Sequence, residues 1–461
     1  MRSNRTKAYF VISLCLASFG YGVVTVRSHI FPFALLQNAN RAWGALTADA
    51  DDTSDRDVVD VQGLTEPTVR RHSEAAGDEL ILVAGGESYL QEHSRGHGCL
   101  AWIMDRQGRL VHVWHYDPEV WAHLDKIATV PGRSRQIHPV GLHLYPNGDL
   151  LVSFQGSFIF PYSIGLARFD KDSKLLWKKE LLTHHWFTIA ADGRIISPAL
   201  QVIDSPSPIG DTRFSMASPD GKILDDRVLV LDPNGEVLDE INVLEAVIES
   251  GWAGLLPTQN PAEAGKLNQE RFTIASGDPT HLNGIQIVGP EVAAAHPWLN
   301  EGDLLLSMRN INAVGILDPH TKRFKWMSAG ASIQQHNPRF YDQGVLVLDN
   351  RGGSVATGGS RLVHVDLETR LPSTVFPRPS ASLPGEFYTS LAGQFELGES
   401  NRLLMAINLG QKIWEIDIET GQVLWEYLCV DSQQHRRRHL ATAQYVRQVD
   451  FPFNQQGEQR P

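Results

Sequence analysis

One pattern of apolar and polar positions recurs along most of the chain. In each copy, an apolar stretch ends in Asp, a short polar turn follows, and a second apolar stretch begins. The six Asp residues that open these turns are Asp105, Asp170, Asp232, Asp318, Asp366 and Asp417. An Asp at the start of a turn accepts hydrogen bonds from backbone amides two residues further on. The pattern therefore predicts six β-hairpins.

Each predicted hairpin follows a further apolar stretch. The clearest examples are GDLLVSF at Gly148, GRIISPAL at Gly193, GDLLLSM at Gly302, GVLVLDN at Gly344 and NRLLMAIN at Asn401. Three or four strands per unit, repeated about every 50–85 residues, are typical of propeller blades. The prediction is an all-β fold, a six-bladed β-propeller over residues 78–430. The alternative is another all-β architecture in which similar turns recur by coincidence.

The N-terminal region has a different pattern. Residues 8–26 carry no charge and follow Arg2, Arg5 and Lys7. A helix of that length spans about 28 Å, close to the hydrocarbon thickness of a bilayer. Residues 1–37 are predicted to be a membrane anchor or a cleaved signal segment, with the uncleaved anchor favoured. The basic flank would stay in the cytoplasm, which places the propeller in the periplasm, anchored to the inner membrane or secreted there if the segment is cleaved.

Composition limits the other regions and the partners. Residues 38–77 are predicted to be an acidic linker, since six Asp occur within residues 49–60. Residues 431–461 are predicted to be a polar C-terminal tail, and one short amphipathic helix is predicted at 243–250. The net charge of −12 argues against nucleic acid as a partner. The three Cys cannot form a disulfide-dense scaffold, and none has zinc-site spacing.

Polar residues interrupt the apolar stretches near the start of several repeats, where a propeller chain approaches its central axis. These candidate site residues are His184, His185, His281, Asn283, Arg309, His336, Arg339 and Asn350. A lone His is more often a hydrogen-bonded structural residue than a catalyst. An Arg within an apolar strand needs an anionic partner, because burying a charge alone is costly. Such elements in consecutive repeats predict that they converge on one site.

The order of these motifs resembles the bacterial arylsulfate sulfotransferase family over about residues 80–428. The motifs are His184-His185, His281-Leu282-Asn283, Ser307-Met308-Arg309, Gln335-His336-Asn337-Pro338-Arg339 and Asp349-Asn350. The resemblance implies a periplasmic six-bladed propeller. Such an enzyme moves a sulfuryl group from an aryl sulfate ester to a phenolic acceptor, without a nucleotide sulfate donor, by a ping-pong reaction through a sulfated histidine.

The resemblance also implies the roles of single residues. His336 would be the nucleophile, with His281 and Arg309 as further catalytic residues. The residues implied to bind substrate or assist proton transfer are His184 or His185, Asn283, Asn350 and Arg339. The position after His336 is Asn337, where relatives often have Asp. Relatives with proven activity also commonly carry a β-sandwich before the propeller, which the anchor and linker here are too short to form.

This chemistry agrees with the residue types. A sulfate monoester is an anion with three peripheral oxygens, and Arg309 offers a planar set of donors to them. Neutral imidazole is a competent nucleophile near pH 7, and a second His can exchange protons with the phenols. No metal or cofactor is required. Trp186 and Phe187 are candidates for an aromatic wall against the phenol ring.

Three other functions remain open from the sequence. DIETGQVLWEY, which begins at Asp417, resembles the tryptophan-docking repeat of quinone-binding propellers, but those usually have eight blades. A non-enzymatic propeller would bind a partner on one face. A calcium-dependent hydrolase would need several carboxylates near the axis, where this sequence places His, Asn and Arg.

Overall fold

The computed structural model describes most of the chain. The described residues are 2–28, 31, 68–86, 98–128, 136–157, 159–218, 221–259, 272–350, 359–379, 383–385, 387–389, 392–408, 412–431, 436–437 and 440–447. Most of the predicted acidic linker and much of the predicted C-terminal tail lie outside them. The chain divides into two units, Met1–Arg56 and Asp57–Pro461.

The first unit contains helix α1 (Arg2–Ser28). Within the described part of the chain, no helix combines the length and the apolar character that a membrane crossing requires. The predicted membrane anchor is therefore not supported.

The second unit is built almost entirely from short strands. The strands up to the second blade are β1 (Thr68–Arg71), β2 (Ile81–Gly86), β3 (Cys99–Met104), β4 (Leu110–His115), β5 (Ile137–Leu144), β6 (Leu150–Gly156), β7 (Ser163–Phe169) and β8 (Leu175–Lys179). The strands of the third blade and its insertion are β9 (Thr188–Ile189), β10 (Ile195–Asp204), β11 (Ser207–Pro208), β12 (Phe214–Ala217), β13 (Lys222–Leu231), β14 (Val237–Asn242), β15 (Thr258–Gln259) and β16 (Phe272–Ala275).

The remaining strands complete the ring. They are β17 (Leu282–Ile287), β18 (Leu304–Met308), β19 (Ala313–Asp318), β20 (Arg323–Ala329), β21 (His336–Tyr341), β22 (Gly344–Asp349), β23 (Arg361–Asp366), β24 (Pro372–Phe376), β25 (Gln394–Leu397), β26 (Arg402–Ile407), β27 (Lys412–Asp417), β28 (Val423–Leu428), β29 (Val430–Asp431), β30 (Arg436–Arg437) and β31 (Ala443–Tyr445). The short helices are α2 (Asp125–Ala128), α3 (Val243–Val247) and α4 (Pro290–Ala295), with 3₁₀ turns at Pro118–Trp121, Ala253–Leu255 and Arg309–Ile311 and a π turn at Ile248–Trp252.

Six antiparallel blades form the ring, which confirms the predicted six-bladed β-propeller. Their strand orders are β31-β2-β3-β4, β5-β6-β7-β8, β9-β10-β13-β14, β17-β18-β19-β20, β21-β22-β23-β24 and β25-β26-β27-β28-β1. The first strands of neighbouring blades contact one another, β17 with β21 and β25 with β31, so these strands surround the axis. A blade count of six also departs from the eight that a quinone-binding propeller usually has.

The ring closes with strands from both ends of the second unit. β31 pairs with β2 in blade 1, and β1 pairs with β28 in blade 6. Both lie outside the predicted propeller range of 78–430, because a closed ring ties its first and last blades together and neither strand carries the repeated hairpin pattern. The junction is polar: Arg106 Nη2 donates to Glu415 Oε1 at 2.9 Å, as does Tyr445 Oη at 2.9 Å.

All six predicted Asp turns are present, each between the third and fourth strand of a blade. Asp170 is typical, since its Oδ1 accepts hydrogen bonds from the backbone amides of Asp172 at 2.9 Å and Lys174 at 2.8 Å. The other five carboxylates, Asp105, Asp232, Asp318, Asp366 and Asp417, each accept two backbone amides in the same way. The local pattern thus forms the outer hairpin of five blades, and in blade 6 the strand β1 pairs outside that hairpin.

Apolar faces stack between the blades. Ile196 and Val228 of blade 3 belong to the same buried cluster as Leu304 and Leu306 of blade 4. Blade 3 also carries an inserted sheet with the order β11-β12-β16-β15. The helix predicted at 243–250 is confirmed by α3 and the π turn that continues it.

Candidate active site

Four histidines meet where the chain enters the inner strands of blades 3, 4 and 5. His184 and His185 come shortly before β9, His281 directly precedes β17, and His336 is the first residue of β21. The ring centroid of His185 lies 4.9 Å from that of His184, 5.2 Å from that of His281 and 6.3 Å from that of His336. Residues far apart in sequence therefore form one cluster of imidazoles.

His336 is buried, and its Nδ1 faces the side chain of Asn350. The Asn350 amide nitrogen donates to the carbonyl oxygens of Thr389 at 2.7 Å and Ala392 at 3.0 Å. Asn350 Oδ1 is thereby turned to His336 Nδ1 at 2.7 Å and accepts a hydrogen bond from the Nδ1–H group. The lone pair of His336 is consequently on Nε2. Burial lowers the pKa of His336 to about 3, and the positive charge of Arg309 contributes to this, so the ring is neutral.

His281 and Arg309 are joined through the backbone and through Asp278. The amide of Arg309 donates to the carbonyl of His281 at 3.1 Å, and His281 Nδ1 lies 2.5 Å from Asp278 Oδ2. Arg309 opens a 3₁₀ turn after β18 instead of lying within a strand as predicted, and its side chain is half-buried. Burial lowers the pKa of Arg309 while the negative charge of Asp278 opposes that shift.

The backbone around two of the histidines is unusual. His185 has φ of 53° and His281 has φ of 52°, in the left-handed region that non-glycine residues rarely occupy. The Ser153 hydroxyl donates to the carbonyl of His185 at 2.5 Å and fixes that conformation. A Cβ at Gly141 would lie 2.8 Å from the same carbonyl oxygen, so this approach requires glycine.

The two other predicted substrate-binding residues have structural partners. The Asn283 amide nitrogen donates to the carbonyl of Gln335 at 2.8 Å and so fixes the segment that precedes His336. Arg339 Nη1 donates to the carbonyl of Pro338 at 2.9 Å, and its charge interacts with Glu396. The structure gives Arg339 no polar contact with the histidines. A register shift in β21 between His336 and Arg339 separates the two.

The two residues predicted to form an aromatic wall lie in different places. The Trp186 ring centroid lies 6.2 Å from that of His336, and its Nε1 donates to Thr442 Oγ1 at 2.7 Å. Trp186 is therefore beside the site and fixed in place. Phe187 packs instead against the apolar cluster around Leu229.

Sequence reasoning missed three residues at the site. The Tyr162 ring centroid lies 5.5 Å from that of His184 and 5.7 Å from that of His281. Tyr162 follows β6 in a segment with no motif, so no pattern indicated it. Asp226 and Asp278 were also missed, although a carboxylate within an apolar strand, as Asp226 is in β13, is the same kind of signal that identified Arg309.

Many solved structures align with the chain, including the two that follow. A protein of unknown function from Bacteroides caccae is 13% identical, covers 80% of this chain and 98% of its own, and has a TM-score of 0.43. A catalytically inactive virginiamycin B lyase from Staphylococcus aureus with quinupristin is 13% identical over 64% of this chain and 71% of its own, with a TM-score of 0.33. TM-scores this low support no argument about this chain. No curated protein matches it.

The family comparison is more informative. The model described as arylsulfotransferase (ASST) matches residues 141–428. That span is well over half of the 461 residues and includes all eight predicted site residues, from His184 to Asn350. The family that the order of the motifs predicted is therefore confirmed, and the chain belongs to the arylsulfotransferase (ASST) family.

Proposed function

We propose that the protein transfers a sulfuryl group from an aryl sulfate ester to a phenol through a sulfated His336. One observation carries the proposal: a buried, neutral His336 whose Nδ1–H is bound by Asn350 and whose Nε2 keeps its lone pair. Membership of the arylsulfotransferase family supports the class of reaction. The alternative of a binding scaffold is weaker, because a scaffold does not need four converging imidazoles.

In the first half-reaction, the sulfate of the donor lies against the imidazole cluster. Its peripheral oxygens receive hydrogen bonds from the guanidinium of Arg309. The Nε2 lone pair of His336 attacks sulfur, and the bond between sulfur and the aryl oxygen breaks. The electron pair leaves with the aryl oxygen, which takes a proton from a neighbouring imidazole and departs as a phenol.

In the second half-reaction, a phenolic acceptor occupies the place of the departed phenol. Its hydroxyl gives its proton back to the imidazole, and its oxygen attacks sulfur. The bond between nitrogen and sulfur breaks, and the electron pair returns to Nε2 of His336. Each cycle thus restores the starting protonation, and the two partners never need to be bound together.

Asn350 serves both steps by orientation. It keeps the proton on Nδ1, so Nε2 can act as nucleophile without losing a proton first. When Nε2 carries the sulfuryl group, the ring becomes cationic, and the Asn350 carbonyl oxygen stabilises the Nδ1–H. A cationic ring is also the better leaving group in the second step.

The experiment is a steady-state assay with a chromogenic aryl sulfate as donor and a phenol as acceptor. We expect coloured phenol to be released faster when acceptor is added, and double-reciprocal plots at several acceptor concentrations to be parallel. His336→Ala is the control and is expected to abolish release. Intersecting plots, or turnover retained by His336→Ala, would contradict the proposal.

A further inference from the structure

We propose that Asp226, His184 and His185 form a buried proton relay that supplies a proton to the leaving phenol in the first half-reaction and recovers one from the acceptor in the second. The inference rests on the proposed sulfuryl transfer and assigns its acid and base. His185 is the catalytic residue of the relay, at the face of the cluster toward His336. Asp226 and His184 act through it and are positioning residues.

Asp226 is fully buried, and its two carboxylate oxygens differ in their surroundings. Its Oδ2 accepts hydrogen bonds from Thr280 Oγ1 at 2.5 Å and from the amide of Leu282 at 2.8 Å. Its Oδ1 has no hydrogen-bond partner among the described residues and lies 3.6 Å from His184 Nε2. His184 Nε2 likewise has none there. Two buried polar atoms thus face each other at 3.6 Å, just beyond hydrogen-bond distance, and a proton on one of them gives both a partner once they move slightly closer.

The hydrogen bonds of the two histidines fix where their protons are. The Gln155 amide nitrogen donates to His185 Nδ1 at 3.2 Å, so that nitrogen is an acceptor. His184 Nδ1 lies 2.7 Å from the same atom and must donate to it. His185 therefore carries its proton on Nε2, and His184 has its lone pair on Nε2, directed at Asp226.

A protonated Asp226 completes this arrangement, because its Oδ1–H faces the lone pair of His184. The energetics agree: burial, reinforced by the negative charge of Asp278, raises the pKa of Asp226 to about 7. Burial lowers the pKa of His184 to about 3, so His184 passes protons on and does not hold an additional one. The other charged or titratable groups around the relay are Asp278, His281, His336, Arg309 and Tyr162.

The relay balances the protons of the two half-reactions. When the aryl oxygen leaves, it takes the Nε2 proton of His185. His185 Nδ1 then takes the Nδ1 proton of His184, and His184 Nε2 takes the proton of Asp226. The enzyme now holds a carboxylate at Asp226 and a lone pair on His185 Nε2. The incoming phenol gives its proton to that lone pair, and each transfer reverses.

Asp226→Asn tests the relay with little change in shape. The Asn carbonyl oxygen can accept from Thr280 and Leu282, and its amide nitrogen can donate to His184 Nε2, but it cannot release a proton. The matched control is Asp225→Asn, the same change at the adjacent buried position. Asp225 instead bonds Arg227 Nη2 at 2.6 Å and Asn242 Nδ2 at 3.1 Å, away from the histidines.

The readout is the burst of phenol released by stoichiometric enzyme without acceptor. Phenyl sulfate needs a proton for its leaving group, whereas 4-nitrophenyl sulfate releases a stable phenolate. We expect Asp226→Asn to slow the burst by roughly 10²-fold with phenyl sulfate and to change it little with 4-nitrophenyl sulfate. Asp225→Asn is expected to leave the ratio of the two rates unchanged.

The possible outcomes separate the two proposals. If the wild-type protein gives no burst with either donor, the proposed function fails. If it gives a burst and Asp226→Asn slows both donors equally, or slows neither, the relay is wrong and the sulfuryl transfer stands. A thermal unfolding profile shows whether Asp226→Asn is folded. If it is not, His184→Gln replaces it, because Gln also cannot relay a proton. The burst of that variant must then be slowed with phenyl sulfate and not with 4-nitrophenyl sulfate.

Discussion

Blade edges and inner strands use polar residues in opposite ways. In the outer hairpins, six carboxylates each accept hydrogen bonds from two backbone amides of their own turn, as Asp170 does. Along the inner strands of blades 3 to 5, buried side chains such as His336 and Asn350 bond one another, and no two blades carry the same set. The repeated Asp turn closes a hairpin, whereas the polar residues that differ from blade to blade meet at one site.

The difference also concerns conformational cost. An Asp turn satisfies backbone groups locally and has five equivalents elsewhere in the ring. The histidine cluster requires buried imidazoles with depressed pKa values at His184, His185 and His336. It also requires left-handed backbone at His185 and His281. Conformational and desolvation costs of this kind are retained where the surrounding contacts enforce them, as happens at active sites. Substitutions in the two regions should therefore have separable effects on activity and on stability.

The largest expected effect is at the nucleophile. His336→Ala should reduce sulfuryl transfer by at least about 10³-fold, because the two-step route disappears. Its circular dichroism spectrum should match that of the wild-type protein. A His336→Ala protein that retains its aryl sulfate turnover would show that the cluster is structural.

Replacing Arg309 by Lys should have the next largest effect. A Lys keeps the charge but cannot present a planar set of donors to the sulfuryl oxygens. Losing a charge-assisted hydrogen bond costs about 1.5–3 kcal/mol, which corresponds to about a 10- to 100-fold decrease in kcat/KM for the donor. The check is kcat/KM for the donor, and an unchanged value would place Arg309 outside the site.

The pH dependence separates buried from ordinary imidazoles. An ordinary His is half protonated near pH 6.5, whereas His336 remains neutral until the pH approaches about 3. The rate of the first half-reaction should therefore show no decrease between pH 7 and pH 5. Burst rates measured across that range provide the test, and an acid limb near pH 6.5 would mean that the nucleophile titrates as if exposed.

The smallest effect is expected at a blade edge. Asp170→Ala should lower the free energy of unfolding by about 1 kcal/mol, because two backbone amides lose their acceptor. Transfer activity should not change. Asp172→Ala is the control, since the Asp172 carboxylate pairs with Lys171 at the surface and such pairs contribute about 0–1 kcal/mol. Denaturant unfolding of both variants makes the comparison.

The sequence predicted the blade edges better than the site. Asp turns are local, so six copies were enough to predict six hairpins, yet the closing strands β1 and β31 lack that pattern. The histidines could be predicted because they interrupt apolar stretches at the starts of repeats, where an imidazole or guanidinium is unusual. Tyr162 and the bonds of Asp226 depend on packing between blades, which no local pattern records.

The most direct test is to identify the residue that carries the sulfuryl group. The protein is mixed with an aryl sulfate in the absence of acceptor, quenched under basic conditions in which sulfohistidine survives, digested and analysed by mass spectrometry. We predict one sulfuryl group on the peptide that contains His336, and its loss when a phenol is added before the quench. A protein that turns over aryl sulfate with no such adduct, or with the adduct on another residue, would contradict the account.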